Sequence, residues 1–145
     1  MRVDAVLQAK GSFVATVGDD ARLHDVARLL WEHGIGALVV TGGERRLAGI
    51  VSERDITRAV ATRGVEALDL PVTDVMTAEV RTCRPDDSVD LLMAIMTNER
   101  VRHLPVVDDA GALAGIVSIG DVVKHRLGEL QAENGALHEY LYSGR

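Results

Sequence analysis

The chain has 145 residues, 47% hydrophobic, 26% charged and only 3% aromatic, with a net charge of -6, as expected of one compact domain or two small ones around an aliphatic core. The acidic balance excludes an extended phosphate-tracking surface, and the scarcity of aromatics excludes a stacking platform for nucleic acid bases. A single cysteine, Cys83, excludes an intrachain disulfide and a cysteine-built zinc cluster, and no apolar stretch approaches the roughly 20 residues of a membrane span.

An internal repeat organises everything else. Shifting the chain by 66 residues aligns residues 16–55 with residues 82–121 without a gap, and 11 of the 40 pairs are identical. The first copy predicts a short strand over 13–17, an acidic cap at Asp19 and Asp20, and a helix carrying Leu23, Val26, Ala27 and Leu30 that Gly34 stops. Next come a strand in GALVV, a turn in TGGER, a third strand in LAGIV and a second helix from Ser52. ALDLPVTDVMT joins the copies, with Pro71 starting a short helical turn that ends at Met76.

The second copy repeats the order: a strand over 80–83, a cap within Asp86 to Ser88, a helix with Val89, Leu92, Met93 and Met96, then HLPVV, LAGIV and a helix from Ser118. Beyond it, Leu127, Leu130, Asn134, Leu137 and Leu141 alternate spacings of three and four. That pattern is a helix packed on its own subunit or a dimer contact in which Asn134 sets the register. The predicted fold class is α/β: β-α-β-β-α twice, with small mixed sheets and a C-terminal helix. The expected divisions are 1–70 (first repeat with the N-terminal segment), 71–126 (second repeat with the linker) and 127–145 (the last helix).

The chemistry gathers where each LAGIV strand meets its helix, in GIVSERD and GIVSIGD. Free backbone N–H groups at a helix N-terminus suit an anion. Ser52 or Ser118 can cap the helix and still offer a hydroxyl, and Asp55 or Asp121 has two carboxylate oxygens with which to hold the paired hydroxyls of a ribose. Capping alone also accounts for Ser-x-x-Asp, and both roles stay open. Gly49 and Gly115 are expected to let another backbone pass closely.

The duplication, with VMT and RHLPVVDDAG, resembles a tandem pair of CBS domains, the cystathionine β-synthase type regulatory module, over residues 10–127, and is similar to small stand-alone bacterial CBS-pair proteins. The resemblance implies two units packed sheet to sheet with pseudo-twofold symmetry, a homodimer of such pairs, and clefts that bind adenosine-type nucleotides without chemistry. AMP ranks first, with ADP, ATP or NAD(H) as alternatives, and some relatives take S-adenosylmethionine. The expected nucleotide-binding residues are Thr16, Ser52, Arg54, Asp55, Thr82, Arg102, His103, Ser118 and Asp121. Arg54 stands where the second copy has Gly120, and Arg100, Arg102 and His103 stand where the first has Gly34, Gly36 and Ala37, so the two clefts are expected to differ.

With no phosphate-cradling loop, metal cluster or paired acid and base, no catalytic residue, catalytic cofactor or metal is expected. The expected protein is a cytoplasmic regulator that signals to an unidentified protein target, with no nucleic acid or membrane partner. The alternative is a ligand-free dimerisation or assembly protein.

Overall fold

Two aliphatic cores, one for each copy of the repeat, set the architecture. The computed structural model describes residues 1–11 and 13–143, with the side chains of the last helix described as far as Gly135. Helix α1 (Val3–Lys10) comes first. The first unit follows with β1 (Thr16–Gly18), α2 (Leu23–His33), β2 (Ala37–Thr41), β3 (Leu47–Ser52) and α3 (Glu53–Arg63). The second has α4 (Val89–Glu99), β4 (His103–Val107), β5 (Leu113–Ser118) and α5 (Ile119–Ser143). Leu23, Val26 and Leu30 share one face of α2 and meet Leu38, Val40 and Val51 in the first core. Val89, Leu92 and Met96 of α4 meet Leu104, Val106 and Val117 in the second. Val39, which strand alternation points to the opposite face of β2, is fully buried too, so β2 is covered on both sides.

Strand β1 runs parallel to β2, and β2 antiparallel to β3; β4 pairs antiparallel with β5. The two antiparallel ladders match residue for residue. Ala37 opposes Ser52 as His103 opposes Ser118, and both ladders shift register at the same step, between Val40 and Thr41 and between Val106 and Val107.

The copies part at their first strand. In the second unit the strand expected over 80–83 shrinks to one bridge between Cys83 and Val106. Pro105 accounts for the loss: its counterpart Val39 donates its N–H to the Ala15 carbonyl at 3.4 Å, and proline has no N–H for that rung. In the first unit the strand begins at Thr16, because Phe13 is 72% exposed and takes no part in the core. Asp19 and Asp20 do not cap α2. The fully buried Leu23 fixes the first turn, Arg22 precedes it, and Asp25 Oδ2 accepts the Arg22 N–H at 3.1 Å. Ser88 does cap α4, accepting the Leu91 N–H at 3.1 Å. Gly34 closes α2 in the left-handed region.

The N-terminal segment, grouped by sequence with the first repeat, packs in the second. Val3 and Val6 belong to the second core with Leu7 against it, and Arg2 bridges Ser88. The linker mirrors this arrangement: Val72 lies in the first core, Val75 and Met76 pack against it, and Pro71 bridges Arg22. Val3, Val6 and Leu7 correspond to Val72, Val75 and Met76 at an offset of 69 residues. Each unit is completed by the segment in front of the other, so a division at residue 70 separates both segments from the cores they fill.

The helix that begins after Ser118 and the C-terminal helix are one continuous helix, α5, with no break at residue 127. Ile119, Val123, Leu127 and Leu130 form an apolar stripe along it, each about half exposed (46%, 52%, 53% and 52%), and so do not pack into their own subunit's core. Leu137 and Leu141 lie outside the described side chains. No helix among the described residues is long and apolar enough to cross a membrane.

Candidate functional site

Ser52 and Asp55 form a reciprocal cap at the start of α3. Asp55 Oδ2 accepts the Ser52 N–H at 2.9 Å and the Ser52 hydroxyl at 3.1 Å, while Ser52 Oγ accepts the Asp55 N–H at 3.3 Å. Ser118 and Asp121 repeat the backbone half of the pattern, with 2.9 Å from the Ser118 N–H to Asp121 Oδ2 and 3.1 Å from the Asp121 N–H to Ser118 Oγ. Capping is therefore present in both copies. Neither Asp55 Oδ1 nor Asp121 Oδ1 accepts a hydrogen bond among the described residues, and Asp55 Oδ1 has Arg58 at 3.8 Å. What differs is the further partner of each Oδ2.

A cleft of about 400 Å³ opens beside Asp55, lined by both units. Ser52, Arg54 and Asp55 border it from the first unit, and Arg100, Arg102 and His103 from the second. Ile50, Val80 and Val101 supply apolar wall. Five sequence-predicted residues thus meet here: Ser52, Arg54, Asp55, Arg102 and His103. Thr16 lies in β1 and Thr82 beside the Cys83 bridge, and neither lines this cleft. Ser118 and Asp121 stand at the equivalent junction of the second unit, where Asp121 borders a different groove, between α1 and α5.

Residues not singled out from sequence also line the cleft. Arg58 is one turn after Asp55, and Thr77, Glu79 and Arg81 come from the linker, with Arg81 held by Glu99 at 3.3 Å. Thr77 is there because the linker pairs with β3: Ile50 and Thr77 exchange both backbone hydrogen bonds, at 3.0 and 2.9 Å. That pairing uses Gly49 as expected, since a Cβ there would lie 2.7 Å from the Thr77 carbonyl oxygen. Gly115 instead receives a side chain, Leu7, at 2.7 Å from the same constructed position.

Lys10 at the end of α1 distinguishes the second junction. Its ammonium donates to Asp121 Oδ2 at 2.6 Å and to the Ile116 carbonyl at 2.8 Å. At the 69-residue offset its counterpart is Glu79, of opposite charge. Burial works to raise the Asp121 carboxyl, but the Lys10 and Ser118 hydrogen bonds outweigh it and hold the pKa below the usual carboxylate value. Burial, then the Lys10 charge, lowers His103 against the opposing pull of Asp121 and Glu53, so the imidazole facing the cleft is neutral at neutral pH. Burial also pushes the Cys83 thiol up to about 12, with the Asp87 carboxylate adding to it, which fits a small core hydrophobe and not a nucleophile.

These shifts predict how stability depends on pH. The unfolded chain has a histidine value near 6.5. Between that and the lower folded value of His103 the unfolded chain binds the extra proton, so stability falls as pH drops through that window and is unaffected above it. Asp121 contributes stability that is present above its unfolded value of 3.8 and lost as pH falls through its lower folded value. Thermal melts should show the wild type losing more stability than His103→Gln as pH falls below the unfolded histidine value of 6.5, with parallel behaviour well above it. Equal losses in the two proteins would contradict a neutral, half-buried His103.

Comparison with known proteins identifies the unit. A family model described as CBS domain matches residues 12–62 and again residues 72–128. The chain belongs to the CBS-domain family. As a CBS pair it is similar to a CBS-domain containing protein from Agrobacterium tumefaciens, whose crystal structure matches with a TM-score of 0.84 at 45% identity, covering 87% of this chain and 99% of that one. A mitochondrial CBS domain-containing protein of Arabidopsis thaliana is 38% identical over 94% of this chain and 67% of its own length. A CBS domain protein from Pyrobaculum aerophilum, solved in complex with AMP, matches with a TM-score of 0.76 at 31% identity over 83% of this chain and 89% of that one. The pairing of two CBS units and the mixed α/β fold expected from the duplication are those found.

Proposed function

We propose that this CBS pair is a noncatalytic regulatory module that binds an adenosine-type nucleotide in the cleft beside Asp55 and passes its occupancy to a protein target. One observation carries the reading: a 400 Å³ cleft brings together a carboxylate with an unengaged oxygen, a helix N-terminus, and cations from the facing unit. Asp55 accepts from the ribose hydroxyls, with Oδ2 released as the Ser52 hydroxyl rotates toward the ligand. Arg54 and Arg102 meet phosphate oxygens. The adenine ring lies against Ile50, Val80 and Val101. The AMP complex of the Pyrobaculum aerophilum relative supports a ligand of this class.

A charge-assisted hydrogen bond contributes about 1.5 to 3 kcal/mol net, and micromolar binding needs about 8 kcal/mol. A few such contacts plus a buried base reach the micromolar to submillimolar range after association costs, which suits reporting a metabolite pool. AMP ranks first, followed by ADP, ATP and NAD(H). Equilibrium titration with each of these and with S-adenosylmethionine tests the reading. Saturable binding of at least one is expected, without turnover in magnesium. Silence from all of them, or hydrolysis of any, would sink it.

The apolar stripe on α5 supports a homodimer, with the stripe covered by a second copy. Leu127→Asp should convert a dimer to a monomer in light scattering while the circular dichroism spectrum is retained. A wild type that is already monomeric at about 50 µM would contradict this, since a stable dimer interface binds more tightly than that. The same stripe favours the second reading, an assembly protein whose cleft stays empty, and that reading predicts a dimer with no thermal shift from any nucleotide.

A further inference from the structure

We propose that Lys10 is the residue that makes the two halves of this CBS pair unequal: it holds Asp121 closed to ribose, so that one chain binds one nucleotide, beside Asp55. This rests on the nucleotide reading of the cleft and specifies where in the pair that reading applies.

The duplicated Ser-x-x-Asp motif would otherwise predict a ribose grip in each half, whatever cations surround it. Ser52 and Asp55 superpose on Ser118 and Asp121 in sequence, ladder register and backbone capping. The difference comes from the segments that cross between units. The first junction receives the linker through backbone pairing of Thr77 with Ile50, and the residue at the equivalent of Lys10 is Glu79, which brings no ammonium to the carboxylate. At the second junction the Ile116 carbonyl, counterpart of Ile50, is taken by the Lys10 ammonium, which also reaches Asp121 Oδ2.

The two carboxylates therefore differ in what a ribose must displace. On Asp55 Oδ2 the second partner is a serine hydroxyl, which is neutral and free to rotate away. On Asp121 Oδ2 it is a cation at 2.6 Å, anchored on a backbone oxygen and positioned by a helix whose Val3 and Val6 are fixed in the core. The pair is partly shielded, with side-chain exposures of 31% for Lys10 and 22% for Asp121, so water screens it less than a surface pair. A neutral sugar diol replaces a contact charged on both partners with one charged on the carboxylate alone. Lys10 is in this sense a specificity-determining residue that acts through Asp121.

Isothermal titration of the full-length chain with AMP separates the outcomes. Wild type is expected to bind one AMP per chain, Lys10→Met two, and Lys10→Met with Asp121→Ala one again. Carboxyl resonances followed by NMR give a readout independent of ligand: the Asp121 titration should move up in Lys10→Met. Two AMP per chain in the wild type, one in Lys10→Met, or an unmoved Asp121 titration would each overturn the inference and leave the nucleotide reading intact. Where AMP is silent the titrant is whichever of ADP, ATP, NAD(H) and S-adenosylmethionine binds the wild type, read with the same stoichiometries; if none of them binds any variant, the nucleotide reading of the cleft fails first and takes this inference with it.

Discussion

Leu104→Ala is expected to destabilise the protein by about 3 kcal/mol, within the range for truncating a buried leucine, and to loosen α1 along with the second unit. Leu104 is fully buried in β4 and shares its core with Val3 and Val6 of α1. The cavity left by the truncation weakens the core that those residues share. In a first-unit variant, Leu38→Ala, the cost should be similar, but the loosened segment should be the linker around Val72, which shares the core of Leu38. Denaturant unfolding gives the stability change, and amide hydrogen exchange tells which segment is released. If α1 lost protection in Leu38→Ala and kept it in Leu104→Ala, the crossed packing of the two segments would be wrong.

Asp55→Ala should lower nucleotide affinity about 30-fold, equivalent to about 2 kcal/mol for one charge-assisted contact. Because Asp55 also accepts the Ser52 N–H at the head of α3, alanine removes a helix cap as well as a ligand contact. Asp55→Asn separates the two roles. Its amide oxygen still accepts from Ser52, but its charge is gone and one oxygen has become a donor, so affinity should fall while the melting temperature stays close to that of the wild type. An asparagine variant that loses stability without losing affinity would assign Asp55 to capping alone.

Much of this fold is legible in the sequence because the repeat is gapless where the packing is most demanding. LAGIVS recurs unchanged, and both copies build the same ladder with the same register shift. The helical spacing of Leu23, Val26 and Leu30, and of Val89, Leu92 and Met96, names the residues found in the cores. What escaped depends on long-range packing. Residues 3–9 match residues 72–78 at an offset of 69, three more than the main repeat, so the gapless alignment passes over them, and their exchange between units leaves no local signal. Lys10 and Glu79 become comparable only once that second offset is recognised. The strand over 80–83 has the right residue types but depends on a neighbour, Pro105, that cannot donate. Asp19 and Asp20 are plausible caps on local grounds, yet the buried Leu23 sets where α2 begins.

At the site, sequence reasoning named five residues that share one cleft, since the Ser-x-x-Asp motif and the cation-rich approach to β4 are both local patterns. It did not name Arg58, Glu79 or Arg81, which reach the cleft through a helix turn and a linker path that only the fold determines.

The most direct measurement is amide NMR of the full-length protein titrated with AMP. Saturable shifts are expected at Ser52 to Asp55 in the first unit and at Arg100 to His103 in the second, with much smaller ones around Ser118 to Asp121. Shifts that spare both of those cleft segments, or no shifts with millimolar AMP, ADP, ATP, NAD(H) or S-adenosylmethionine, would contradict a nucleotide site between the two units.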